Sequence, residues 1–346
     1  MKILAIDIGS GTQDIMLYDT EEPIENSPKL VMPAPTKIVA DRIARLDGDL
    51  FIGGETMGGG PINRAVKDHI KGGNKIFMAK NAARTIRDDL NVVKSLGVEI
   101  VPPSEGEKYS HLTQIEFKDV DLDAIGESLS KFDVDPHFDF LGVAVQDHGF
   151  MEGVGDRNFR FMKIREKLDT PKPPEEFAYF GSAPDYFTRI NAVFRALKEY
   201  NTTVMDSKFA SICGATCDRY VKTLEKFIAM DIGNGHTLAA AFDRGKILGV
   251  FEHHTRKMTP DNIELFVGKL ADGSITHEEV HEDHGHGAWS LKPIGDFKTV
   301  VATGPRRKVL EKTDFNVHYA APAGDVMMTG PVGLIKAIKL NIQVFK

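Results

Sequence analysis

Two glycine turns, each introduced by an aspartate, carry the clearest chemical potential in this 346-residue chain. Residues 3–19 read ILAIDIGSGTQDIMLYD and residues 227–243 read FIAMDIGNGHTLAAAFD, and the two align without a gap. Each is an apolar run, then Asp-Ile-Gly-x-Gly, then a second apolar run closing on Asp, a pattern that predicts strand, tight turn, strand. Gly9 and Gly11, like Gly233 and Gly235, permit positive φ and leave backbone N–H groups unshielded. With Ser10, Thr12 and Asn234 they make two main-chain cradles suited to phosphate oxygens. Asp7 and Asp231, just ahead of the turns, are placed to organise a hydrated Mg²⁺. Two such copies far apart in sequence predict duplicated halves facing each other across a cleft.

Other polar groups stand where strands end. Gln146-Asp147-His148-Gly149 closes the apolar run FDFLGVAV, and ligands in open α/β sheets sit at the carboxyl ends of strands. Asp147 or His148 is therefore placed to orient or deprotonate an acceptor hydroxyl; the alternative is a turn capped by Asp147 with His148 in solvent. Glu252-His253-His254-Thr255 ends a strand in the second half. Adjacent strand residues point to opposite faces, so at most one of those histidines serves a given site. The stretch HEEVHEDHGHG (277–287) holds a literal H-E-x-x-H in His277, Glu278 and His281. On a buried helix this would suit zinc, but a Thr276-x-x-Glu279 capping box and Gly285 confine any helix here to about two turns. His284 and His286 follow on a glycine-flanked loop. Gly58-Gly59-Gly60 precedes a helix start and offers an anion site from backbone amides, without a P-loop Lys-Ser/Thr after it. Arg306 and Arg307 could clamp an adenine face or a phosphate, or remain solvated.

The elements that must position these groups follow from periodicity. KIVADRIARL and DLFIGG read as a hairpin through Asp47-Gly48. Pro61 opens the helix INRAVKDHIK, which stops at Gly72-Gly73. Ala83, Ile86, Leu90, Val93 and Leu96 fall on one helical face and predict a single helix. GVEIV and HLTQIEF read as strands; Leu122, Ile125, Leu129 and Phe132 mark a helix, as do Phe187, Ile190, Phe194 and Leu197. Residues 166–176 read as loop. SKFASICGATCDR (207–219) predicts a helix in which Ala210 and Gly214, four apart, let another helix cross closely. Cys213 and Cys217 share its face and read as buried and inert rather than as a metal site. In the second half, KILGVFEHHT is a strand, and Thr259-Pro260 caps a helix ending at Gly273.

The duplicated motif resembles the phosphate-1 and phosphate-2 loops of the actin, Hsp70 and sugar-kinase-like ATPases, and AMDIGNGHT is similar to the phosphate-2 loop of actin. TVVATGPRRKVLEK (299–312) stands where that superfamily has its adenosine motif, with Gly304 near the nucleoside; Thr303 replaces the first of the usual two glycines. NVHYAAPAGDVMMTGPVGLIKAIK looks like the closing strand and helix, and GVAVQDHG resembles the Gln-x-His-Gly strand end of carbohydrate kinases related to xylulokinase. The resemblance spans most of the chain. It implies an α/β fold of two actin-like, ribonuclease H-like domains facing an interdomain cleft. Residues 1–225 would form the first, with insertions and the connecting helix, and 226–346 the second. The whole chain further resembles an archaeal and bacterial branch labelled pyruvate formate-lyase-activating-like. That label implies radical chemistry needing three closely spaced cysteines, whereas this sequence has two.

Composition is that of a globular protein, with 42% hydrophobic and 27% charged residues. A formal charge of −7 argues against nucleic acid as a partner. No apolar run approaches a membrane span, Asp7 interrupts any signal-peptide core, and two cysteines make no disulfide framework, so the expected location is the cytoplasm. The resemblance implies Mg-ATP in the cleft, held by Gly9, Ser10, Gly11 and Thr12 on one side and Gly233, Asn234 and Gly235 on the other. The expected activity is an ATP-dependent phosphotransferase or ATPase acting on a small-molecule or protein substrate. The alternatives are a conformational ATPase that activates a partner, and a metal-dependent enzyme using the histidines of 277–286.

Overall fold

The computed structural model describes residues 1–344. The first predicted hairpin is β1 (Lys2–Ile8) and β2 (Thr12–Asp19), extended antiparallel by β3 (Lys29–Pro33). Four short parallel strands follow as a separate sheet: β4 (Leu50–Gly54), β5 (Ile76–Ala79), β6 (Val98–Val101) and β7 (Thr113–Phe117). The chain then returns to the first sheet with β8 (Phe140–Val145), β9 (Ala178–Phe180) and β10 (Thr202–Met205), in the order β3-β2-β1-β8-β10-β9. The second large sheet repeats this plan with β11 (Lys226–Ile232), β12 (His236–Asp243), β13 (Lys246–His254), β14 (Gly287–Ser290), β15 (Val300–Thr303) and β16 (Val317–Tyr319). Its order is β14-β13-β12-β11-β15-β16. In both sheets three antiparallel strands lie beside a parallel pairing from the first strand, β1 with β8 and β11 with β15. This duplicated order is the actin-like, ribonuclease H-like arrangement, with a cleft between the halves.

The helix Ser207–Ala215 lies between the sheets, every residue of it buried. The last helix, Thr329–Val344, crosses it and also packs on β1 and β8. The crossing is as close as Ala210 and Gly214 predict. A Cβ on Gly214 would strike the Thr329 carbonyl, and one on Gly333 would strike that of Ala210. Three of the predicted helices also have their expected boundaries. Pro61 stands in the first turn of Gly60–Lys71; Thr259 caps Pro260–Asp272, which stops at a left-handed Gly273; and Thr276 caps the short His277–Glu282.

Three local expectations fail. KIVADRIARL is no strand: residues Pro35–Ala44 form a helix with Val39, Ala40 and Ile43 buried, Pro35 starts it, and β4 pairs with β5 and β7 instead. The spacing of those apolar residues fits one helical face, and Gly48, although a turn at φ +82°, joins helix to strand. The single helix through Ala83 and Leu96 is two pieces, Lys80–Ala83 and Leu90–Ser95, because the Asp89 side chain caps Asn91 N and restarts the turn. Phe132 lies beyond the helix Leu122–Ser130 and is 78% exposed. A further helix, Asp156–Lys167, has no counterpart among the sequence expectations and proves central to the site. Among the described residues no helix is long and apolar enough to cross a membrane.

Candidate functional site

The two glycine turns meet tip to tip. A Cβ on Gly11 would overlap the Asn234 side chain, and one on Gly235 would come within 3.2 Å of Ser10 Oγ. Each turn is closed in the same way, Gly9 N donating to Thr12 O at 2.9 Å and Gly233 N to His236 O at 3.0 Å. The Gly9 and Gly233 amides therefore serve their own turns. Among the described residues, the N–H groups of Ser10, Gly11, Asn234 and Gly235 make no such internal bond. A cavity of about 400 Å³ opens from both tips, within the range of small-molecule sites. Its lining takes in Gly9, Ser10, Thr12, Gly233, Asn234, Gly235 and Gly304, together with Asp7, Asp231, Asp147 and His148.

The floor is acidic. Asp7 is buried with Oδ1 unpartnered; burial pushes its carboxyl up to about 7, with Asp231 adding to the rise and Ser207 and Lys208 opposing it. Directly across the hairpin stands Asp14, also buried with Oδ1 unpartnered. Burial and the nearby Asp7 raise it to about 8. The second copy has Leu238 opposite Asp231, so this difference between the repeats is the sequence signal for Asp14. Asp231 is not free in the same way: its Oδ2 accepts from Lys208 Nζ at 2.6 Å. Lys208 rides on the first turn of the buried helix, whose N-cap Asp206 accepts from Lys208 N at 3.0 Å. No spacing in the sequence announces this pair, which packing across the cleft creates.

Gly304 ends β15 against the second turn, where the strand end must pass a carboxylate. Its φ is +88°, and a Cβ there would lie 2.6 Å from Asp231 Oδ1. Thr303, which stands in place of a glycine, is buried and bonded to Thr329 Oγ1 at 2.6 Å, tying β15 to the final helix. Arg307 donates to Gly304 O and stacks near Tyr319, a local role, and neither it nor Arg306 lines the cavity. Gly58 to Pro61 do line it, with Arg84, Arg87, Asp88 and Arg189. Arg189 forks onto Asp119 at 2.7 and 2.8 Å and reaches Gln146 O, so it fixes the glycine run against the first sheet.

Asp147 behaves as a cap. Oδ1 accepts from Gly149 N at 2.8 Å, and Oδ2 accepts from Arg189 N and Ile190 N at 2.8 and 3.0 Å, the start of helix Thr188–Ala196. Burial nevertheless lifts it to about 6. His148 turns instead toward three other imidazoles. Its Nε2 lies 3.0 Å from His286 Nε2. The rings of His236 and His254 lie 4.7 and 4.9 Å from that of His286. Burial first, and then neighbouring cations, depress His148 to about 3, and His236 and His286 fall equally low. Beneath them Glu252 is fully buried, accepting from Gln146 Nε2 at 2.6 Å and from Arg160 at 2.7 Å. Arg160, from the helix Asp156–Lys167, also holds Asp206 at 2.7 Å and so joins the histidine group to the base of the cleft.

His253 points to the opposite face, 3.1 Å from Asp283, as strand alternation requires. The H-E-x-x-H pattern is not assembled as a metal centre: the rings of His277 and His281 stack 5.6 Å apart, and His277 Nε2 pairs with Asn158 Oδ1. Among the described residues, the groups able to hold an ion include His286 but neither His277 nor His281. The helix stops at Ala215, so Cys217 lies beyond it and does not share a helical face with the buried Cys213; burial raises both thiols.

The paired sheets and facing turns define a duplicated actin-like, ribonuclease H-like fold. Residues 57–309 match the model of the family described as "Putative pyruvate format-lyase activating enzyme (DUF1786)", and the chain belongs to that family. No curated protein matches it. Among solved structures it is similar to "Lmo2764 protein, a putative N-acetylmannosamine kinase" from Listeria monocytogenes (9% identity, TM-score 0.38, covering 99% of this chain and 100% of that one). It is similar also to a ROK hexokinase from Thermus thermophilus (10%, 0.33, covering 99% and 100%). A third is the activator of 2-hydroxyisocaproyl-CoA dehydratase from Clostridium difficile (12%, 0.29, covering 99% and 98%).

Proposed function

We propose that this protein is an ATP-dependent phosphotransferase or ATPase that holds Mg-ATP between its two glycine turns. The observation behind this reading is the apposition of the turns above an acidic floor with unpartnered carboxylate oxygens. Three carboxylates at the base of a cleft would repel a polyphosphate on their own. A divalent cation reverses that sign, and Asp7 Oδ1 and Asp14 Oδ1, buried without partners, suit its hydration shell. When bound, the ion would supply charge neutralisation on the phosphates.

The chain's own groups would then do the following. The tip amides of Ser10, Asn234 and Gly235 grip phosphate oxygens from two sides, while Gly11, which does not line the cavity, packs the two tips together. Lys208, held in place by Asp231, faces the developing negative charge. Thr12 and Gly9 keep the first turn in shape, and Gly304 lets the nucleoside lie close to the backbone. His148 and Gln146 stand on the acceptor side, with Asp147 positioning their turn. Phosphoryl transfer asks mainly for such positioning and neutralisation. The polar wall of Arg84, Arg87 and Asp88 favours a small polar acceptor over an apolar one.

Calorimetric titration tests this. Mg-ATP is expected to bind far better than metal-free ATP, and Gly11→Val and Gly235→Val are each expected to weaken it by at least about tenfold. Lys208→Met is expected to lower turnover more than affinity. Unchanged binding in both glycine variants would place the nucleotide elsewhere and refute the reading.

A further inference from the structure

Apart from His148, the histidine group beside the cleft has no place in the nucleotide reading. Four elements far apart in sequence deliver it: His148 after β8, His236 at the start of β12, His254 at the end of β13, and His286 just before β14. One nitrogen from each of His236, His254 and His286 lies within 4.8 Å of the others, and a second trio, His148, Glu252 and His286, meets the same limit. Packing of aromatic rings does not account for this. His286 is 2% exposed, and its Nδ1 has no hydrogen-bond partner. A buried polar atom left bare destabilises the fold. The carboxylate nearest that nitrogen, Glu252 at 3.9 Å, is already bonded to Gln146 and Arg160.

We propose that His236, His254 and His286 bind one divalent first-row transition metal ion of the zinc class at the wall of the cleft. An all-imidazole donor set suits Zn²⁺, Co²⁺, Ni²⁺ or Cu²⁺ and not Mg²⁺, which seeks oxygen. Three protein ligands leave a coordination position open, as in zinc sites that bind water or substrate. Glu252, held by Arg160 and Gln146 and 3.9 Å from His286 Nδ1, makes no hydrogen bond to that imidazole and stands as a nearby anion that offsets the charge of the ion. His236 directly follows Gly235, so the ion would anchor the second glycine turn from behind. The site is distinct from the acidic floor, and its existence does not depend on nucleotide binding.

The test uses the full chain without an affinity tag, stripped with chelator, incubated with Zn²⁺ or Co²⁺ and desalted. Elemental analysis is expected to find about one retained ion per chain, and Co²⁺ is expected to give visible ligand-field bands. His254→Ala, at a partly buried strand end, and His286→Asn are each expected to cut retention about tenfold or more. Circular dichroism of both variants checks that they are folded. The double variant His277→Ala/His281→Ala is expected to retain the ion. Failure of the unmodified chain to retain any ion, undiminished retention in folded His254→Ala, or loss in the double variant would each overturn the proposal.

Discussion

Replacing Asp14 by asparagine should make the metal-free protein more stable, and increasingly so as pH rises. Asp14 and Asp7 face each other across β1 and β2, both buried, so each disfavours the other's charge. The Asp14 carboxyl is raised from 3.8 to about 8 in the folded protein. A group whose folded pKa is raised contributes stability that is complete below its unfolded pKa and is lost as pH climbs toward the folded value. Over that window one proton is held only by the folded state, giving a loss of about 1.4 kcal/mol per pH unit. From pH 5 to pH 8 this amounts to about 4 kcal/mol from Asp14 as a ceiling. Asp7, raised to about 7, adds a parallel loss that ends earlier. Urea denaturation at pH 5, 6.5 and 8 in the presence of chelator measures the effect. The unmodified chain should lose stability across the series. The Asp14→Asn substitution removes one of the two slopes, so the gap between the proteins should widen with pH. Added Mg²⁺ should restore the unmodified chain at pH 8 and do little for Asp14→Asn. Parallel pH profiles for the two proteins would refute the reasoning, because they would mean that Asp14 does not titrate between its unfolded and folded values.

Two further outcomes follow from the packing. Arg160→Met leaves Asp206 and Glu252 as buried, unpaired carboxylates, and it should cost about 3–5 kcal/mol in chemical denaturation. Adding Glu252→Gln should recover part of that loss; no recovery would mean that Arg160 acts through packing alone. Gly214→Ala drives a methyl group into the Thr329 carbonyl of the crossing helix and should destabilise by about 1–3 kcal/mol. The same change at Gly268, where a Cβ meets nothing within 4 Å, should be neutral or stabilising, and thermal melting of the pair compares the two.

The local chain is legible where one residue type answers one physical demand. Asp-Ile-Gly-x-Gly twice over predicts both hairpins, because a tight turn between apolar strands needs glycine whatever surrounds it. Thr259-Pro260 and Gly273 bound a helix for the same reason, and Ala210 with Gly214 announces a close crossing. Ambiguity enters where apolar spacing fits two periods. The segment KIVADRIARL satisfies a helical face better than a strand, and only the pairing of β4 with β5 and β7 removes its apparent hairpin partner.

The duplicated turns and their aspartates are legible in the chain alone, since these depend on backbone conformation and near neighbours. Tertiary structure alone decided that the turns touch, that Lys208 takes Asp231, that Asp147 caps a helix, and that four histidines from distant segments share one wall with Arg160 and Glu252 beneath. Those relations depend on how two lobes close around each other. Side-chain partners set by packing across a cleft leave no spacing in the chain from which to read them.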